Sequence, residues 1–371
     1  MRKPEIRIFF FFVISFLLYF MVGILVHRMG FWNLEEVYLV ERALLGVKGE
    51  SSGFERIGLT YPTLPFILLF LPVFLGAHLK AGVLLSSIIG VLTLLFFSSL
   101  IIRSRVGFFT LLFIAVHPLF LYAYSGGGSI GFFLFFIFLF IYSHKQFLES
   151  DEKDVPSLFM SSIFLALSVL IRYEAVLFIF PVVFTLIFDK NPWRSVSKPV
   201  VFLFPVLFIF GGIVYLNWMY KGDEFYFAHS PLLLSAGLFD SDYISEKFTY
   251  KNLLSPLLLF PAYVVSMLSV VKQPRLLLLL LSPLIVALIN AWIFVAGLPA
   301  SYFCLLGGVS LIFLEKSSAL IKQVILIASV AGVLLAFVLP EKLMWGNEEK
   351  FARFLTLGRE EEMFKGHREM A

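Results

Sequence analysis

Apolar runs broken by short polar connections fill most of this chain. Eleven of them, at roughly 8–27, 81–102, 107–124, 129–143, 157–172, 175–189, 199–220, 253–271, 276–298, 300–314 and 319–339, read as membrane-spanning helices. A twelfth run, 61–78, carries Pro62, Pro65, Pro72 and Gly76, which break a helix and suggest an interfacial or re-entrant segment lining a cavity. The strict alternation of a membrane β-barrel is absent. The pattern predicts an all-α, polytopic helical membrane protein with about 11 transmembrane helices.

Charge decides which way the spans point. If 61–78 does not cross, the cytoplasmic side holds 14 Lys or Arg and the outer side nine, leaving out the C-terminal tail. If it does cross, the cytoplasmic side keeps eight and the outer side takes 15. The positive-inside rule selects the first arrangement. It places the N-terminus in the cytoplasm and 28–80 outside as the first extracytoplasmic loop, with amphipathic and re-entrant helices. Arg2, Lys3 and Arg7 before the first run read as the flank of a retained anchor, because no small-residue cleavage site follows. The transmembrane unit is expected over 1–340. The tail 341–371, with Trp345, Phe351, Phe354, Leu355 and Leu357 on one side of a helix, is expected to lie on the outer surface.

Composition narrows the function. Of 371 residues 60% are hydrophobic and 15% charged, and a mean hydropathy of +0.95 leaves no room for a sizeable soluble domain. The net charge of +4 comes from loops rather than a basic face, so membrane lipids and not nucleic acid are the expected surroundings. One cysteine, Cys304, rules out an internal disulfide, and the six histidines lack metal-ligand spacing. No cofactor is implied, and two neighbouring Glu residues do not by themselves define an ion site.

The polar interval 31–62 holds the first candidate chemistry. On a helix over 34–45, Leu34, Val37, Tyr38, Leu44 and Leu45 share a stripe, while Glu35, Glu36 and Arg42 lie towards its polar sides. A carboxylate at the edge of hydrocarbon holds its proton more tightly, which suits a general base; the alternative is a pair of solvated surface charges. A second candidate, Arg172-Tyr173-Glu174, lies between two apolar runs, where ionisable groups are costly. Its guanidinium fits either a bound phosphate or an ion pair with Glu174. The run Gly126-Gly127-Gly128 lacks the Lys and Ser or Thr of a phosphate-binding loop and reads as a flexible turn.

Taken in order, these pieces resemble the GT-C superfamily of membrane glycosyltransferases, in particular protein O-mannosyltransferases and the aminoarabinose lipid A transferase. Trp32 to Ala43 looks like the family's Asp-Glu, aromatic, Ala-Arg pattern, with Glu35 where Asp is usual. Leu59 to Pro65 is similar to its tyrosine-proline segment, and Leu170 to Glu174 to its Leu-Thr-Arg step. Asn217 to Phe227 resembles the Asn, Gly-Asp-Pro, Phe step that closes a span. Two departures stand out. The second acidic residue that many relatives carry after the third span is replaced by Ser125 to Ser129, and a late Arg-Tyr appears as Ser301-Tyr302.

The resemblance implies an inverting transferase that takes a hexose, mannose-like, from a polyprenyl-phosphate donor of dolichyl type. Transfer would go to a lipid, glycan or protein acceptor on the extracytoplasmic face. It implies Glu35 as base with Glu36 supporting it as the catalytic pair. Tyr38, Arg42, Tyr61, Arg172, Tyr173, Glu174, Asn217 and Tyr302 are then the substrate-binding candidates, with Arg172 on the lipid phosphate. The rival reading is a transporter or flippase of lipid-linked or small anionic solutes, which would call for paired broken helices where the sequence offers one broken segment.

Overall fold

The computed structural model describes residues 3–30, 33–47, 63–77, 80–101, 105–150, 153–187, 192–224, 226, 250–293, 298–314, 317–344 and 346–357. Among these the regular structure is entirely helical. A backbone in lipid must satisfy its polar groups internally, and helices do so within one segment. Buried hydroxyls follow the same logic: Ser87 donates to the Val83 carbonyl at 2.8 Å and Thr93 to the Ile89 carbonyl at 2.8 Å, each one turn back.

The chain begins with α1 (Lys3–Arg28), α2 (Leu34–Val47), α3 (Thr63–Phe74) and α4 (Lys80–Ile101). Then come α5 (Arg105–Ala115), α6 (Pro118–Ser125), α7 (Ile130–Glu149), α8 (Val155–Val169), a 3-10 turn (Tyr173–Phe178), α9 (Ile179–Ile187) and α10 (Pro192–Lys221). The last part holds α11 (Tyr250–Leu259), α12 (Pro261–Val270), α13 (Pro274–Ile293), a 3-10 turn (Ala300–Phe303), α14 (Cys304–Leu314), α15 (Ala319–Val338), α16 (Pro340–Leu343) and α17 (Gly346–Leu357).

Among the described residues, each of the eleven apolar runs is helical over most of its length. Among the described residues, five helices are long and apolar enough to cross a bilayer (Phe11–Arg28, Lys80–Ile101, Ile130–Glu149, Ser197–Lys221 and Ala319–Val338), and counting the pair α5 and α6, bent by 63°, as one span makes six. The protein is a multi-pass membrane protein. The other described runs form shorter helices or are interrupted, as at Phe260 between α11 and α12.

Helix α14 is the centre of the bundle. Every residue from Cys304 to Leu314 is buried, as expected of a helix apolar all round. Gly307 and Gly308 let Phe260, Phe138 and Phe97 approach its backbone. At the opposite extreme, α10 turns Val200, Phe204, Leu207, Phe208 and Trp218 outward, a surface suited to acyl chains.

Outside this bundle, α2 and α3 form a satellite pair. Leu39, Val40 and Ala43 pack on Phe66, Leu69 and Val73, and the Phe70 ring lies over Gly46. With 12 residues, α3 rises about 18 Å, short of roughly 30 Å of hydrocarbon.

Two sequence readings change. The expectation of one broken segment gives way to several, because α5/α6 bends at His117 and α11/α12 breaks at Phe260; these two rings stack at 4.6 Å. The proline at the start of each second half ends the preceding helix and begins the next. The tail reading also shifts: Phe351, Ala352 and Phe354 of α17 are buried against the bundle rather than floating on its surface. Trp345 and 358–371 lie outside the described residues.

Candidate active site

The two carboxylates of the first loop sit on the glycine turn. Asn33 caps α2, its Oδ1 accepting from the Glu35 N–H at 3.0 Å. That places Glu35 and Glu36 in the first helical turn, where the helix dipole favours negative charge. Oε2 of Glu35 then accepts the Ser129 N–H at 3.0 Å, across 94 residues of chain. Glu35 itself is half-buried.

Glu36 is fully buried, and its neighbours are shaped around it. Nε2 of His27, in the last turn of α1, lies 2.9 Å from its Oε2. Gly82 on α4 and Gly127 in the turn face the carboxyl from two sides, and a Cβ at either would fall inside it. Gly127 also has φ +71°, a conformation that side chains disfavour. The turn expected to be flexible is therefore a fitted seat: Gly127 and Gly128 are buried, and Glu35 Oε2 would lie 2.9 Å from a Cβ on Gly128. Sequence reading missed His27, Gly82 and this turn as site residues. The only available signal was three adjacent glycines where the family carries an acid.

Burial pushes the Glu36 carboxyl up, with His27 and the Val83 backbone N–H pulling it back. A folded value above the ordinary 4.5 means that the folded chain holds this proton more tightly than the unfolded one. The stability it contributes is full below 4.5 and is lost as pH rises through the raised value. The melting temperature in detergent should fall over that interval, and Glu36→Gln, which mimics the neutral acid, should flatten the fall. An unchanged slope in the variant would assign it to other groups.

A second cluster lies at the same end of the bundle. Arg172 forks onto Glu174, Nη2 to Oε1 at 2.7 Å and Nε to Oε2 at 3.2 Å, and Glu174 is buried. The structure thus realises the ion pair that the sequence left open. The Leu64 N–H donates to the Leu170 carbonyl at 3.1 Å, which ties the start of α3 to the approach to Arg172. Tyr302 is buried, donates its hydroxyl to the Pro283 carbonyl at 3.1 Å and stacks on Phe133 at 6.0 Å. Phe133 is one turn beyond Ser129 on α7, its N–H bonded to the Ser129 carbonyl at 3.0 Å. A chain of contacts so joins Glu35, Ser129, Phe133 and Tyr302, and Tyr302 lies in the field of Arg172 and Glu174.

The remaining candidates are placed differently. Arg42 is exposed, its guanidinium 5.2 Å over the Tyr38 ring one turn back on α2. Asn217, buried near the end of α10, donates to the Ile213 carbonyl of its own helix at 2.8 Å, and α10 packs mainly on α8 and α9. Tyr173 opens the 3-10 turn after Arg172, but its side chain, like the whole of Tyr61, is outside the described residues. Among the described residues no group of three His, Cys, Asp or Glu is arranged to hold a metal ion.

Residues 62–220 match the family model of dolichyl-phosphate-mannose-protein mannosyltransferases. Over this stretch the chain is similar to that family of membrane glycosyltransferases. The match covers a little under half of the chain and includes α3, the glycine turn, Arg172, Glu174 and Asn217. Glu35, Glu36, Tyr302 and α17 lie outside the matched stretch, so their place rests on geometry. No curated protein and no solved structure matches the chain.

Proposed function

We propose that this protein is a membrane glycosyltransferase that moves a mannose-like hexose from a dolichyl-type phosphate donor to an acceptor hydroxyl, with inversion, on the extracytoplasmic face. The observation that supports this most is the half-buried Glu35, anchored by the Ser129 N–H of the matched segment. Glu35 removes the acceptor's proton as its oxygen attacks the anomeric carbon. The bond from that carbon to the phosphate oxygen breaks, and its electrons leave with the polyprenyl phosphate. Arg172 offsets the charge that grows on the phosphate, while Glu174 keeps the guanidinium plane fixed. Glu36, buried away from any substrate, acts by holding the turn and α2 in register with His27. The donor's chain lies in the bilayer among the outward apolar side chains. The acceptor is a lipid, a glycan or a protein.

Reconstituted protein given dolichyl-phosphate-mannose and candidate acceptors should release dolichyl phosphate and form a glycoside of opposite anomeric configuration to the donor. In intact vesicles oriented as in the cell, Glu41→Cys, at an exposed position of α2, should react with a membrane-impermeant maleimide from outside; the natural Cys304 is buried and silent. Donor that is never consumed would overturn the transfer reading, and labelling only after permeabilisation would overturn the orientation.

A further inference from the structure

Helix α17 folds back across the end of the bundle where both clusters lie. Its Phe351 ring stands edge-on to Tyr122 of α6 at 5.5 Å. Three residues before Phe351, Glu348 is 5% exposed and reaches the 3-10 turn Ala300–Phe303. Its Oε1 accepts the Ser301 hydroxyl at 2.7 Å and the Ser301 N–H at 3.3 Å. An amphipathic helix resting on a membrane needs its apolar stripe, which accounts for Phe351 and Phe354. It does not need a buried acid, whose desolvation is costly unless charge and donors compensate it.

The compensation comes from the candidate site. The two Ser301 donors and the Glu348 backbone N–H come first, and the Arg172 charge adds the smallest pull. Burial raises the Glu348 carboxyl, and Ser301 and Arg172 draw it down again. Tyr302, next to Ser301, donates to the Pro283 carbonyl of α13 at 3.1 Å, and α13 packs on the 3-10 turn that follows Arg172, so the Glu348–Ser301 contact is joined by packing to the Arg172–Glu174 fork. The same helix rests on Tyr122 of α6, whose C-terminal end runs into the turn that seats Glu35.

We propose that Glu348 is a positioning residue for the donor phosphate, and that docking of α17 completes the phosphate end of the site by fixing Ser301 and, through Tyr302 and α13, the turn that carries Arg172. This rests on the reading that Arg172 meets the donor phosphate. It assigns the C-terminal helix a role in donor recognition, where its pattern alone suggests a structural clasp.

Glu348→Gln is the informative variant, because the amide oxygen still accepts from Ser301 while the charge is gone. The expected result is a melting temperature near wild type, a donor KM raised about tenfold, and kcat and acceptor KM within about twofold. Dolichyl phosphate alone, added in detergent, should raise the melting temperature of the wild type and much less that of Glu348→Gln. An unchanged donor KM and an unchanged dolichyl phosphate shift in the variant would overturn the proposal. So would a loss of melting temperature with the donor KM intact, the signature of a clasp, or a wild type that dolichyl phosphate does not stabilise. If the wild type transfers no sugar yet shows the shift and Glu348→Gln does not, the transfer reading fails and the positioning role stands.

Discussion

Glu35→Gln should lower sugar transfer by roughly 10²- to 10⁴-fold, the range that a positioned general base supplies. Gln keeps the carbonyl oxygen that accepts from the Ser129 N–H, so the seat on the turn survives and the loss falls on proton removal. Glu35→Ala should lose a similar factor, and neither change should shift the melting temperature much, since the side chain is only half-buried. The contrast with Glu36 is the sharper part of the test. Glu36→Ala removes the contact between its carboxyl and the buried His27 and opens space between Gly82 and Gly127, which is expected to cost about 3–5 kcal/mol. Assays of transfer and melting on the two Ala variants side by side would separate chemistry from support. Full transfer by both Glu35 variants would remove Glu35 from the mechanism.

Gly127→Ala should cost more than any other single methyl group in the described turn. The backbone at φ +71° adds about 1–3 kcal/mol of strain for a residue with a Cβ. The new atom also falls inside the Glu36 carboxyl and drives it from His27, at a further cost of about 3 kcal/mol. The expected melting temperature is lower by roughly 5–10 °C, with transfer reduced because Ser129, two residues on, loses its register with Glu35. Gly76→Ala is the matched control: its φ is +85°, but nothing lies within 4 Å of the added carbon, so it carries strain without a clash. If the two variants melt alike, the turn does not grip Glu36 as the geometry requires.

The acidic residue that many relatives place after the third span has no counterpart in Ser125 to Ser129. In its place this chain offers bare backbone, and backbone is what the site uses: the Ser129 N–H holds Glu35, and the lack of side chains at 127 and 128 makes room for Glu36 and Asn33. A further acid at this position would meet Glu35 and Glu36 at close range, and three carboxylates sharing one His27 in a partly dry site repel one another. The substitution of glycine for acid is thus consistent with a site that keeps one half-buried carboxylate and balances the other with His27.

Much of this was written in the sequence. Apolar runs fix helices in lipid because no other local structure satisfies the backbone, and among the described residues each of the eleven runs is mostly helical. Asn33 before Glu35-Glu36 fixes a capped start for α2, and the prolines fix where α6 and α12 begin. These are short-range effects, set within a few residues. Tertiary structure alone decided which carboxylate is buried, since Glu35 and Glu36 are adjacent and differ only in the direction each side chain takes from the helix. It also decided that a glycine run 90 residues away becomes their seat, that Arg172 is forked by Glu174, and that a carboxylate from α17 reaches Ser301. Each of these depends on a long-range approach of backbones, permitted where a side chain is missing and enforced by the cost of leaving a buried charge unmatched. Neither condition leaves a periodicity for a sequence to show.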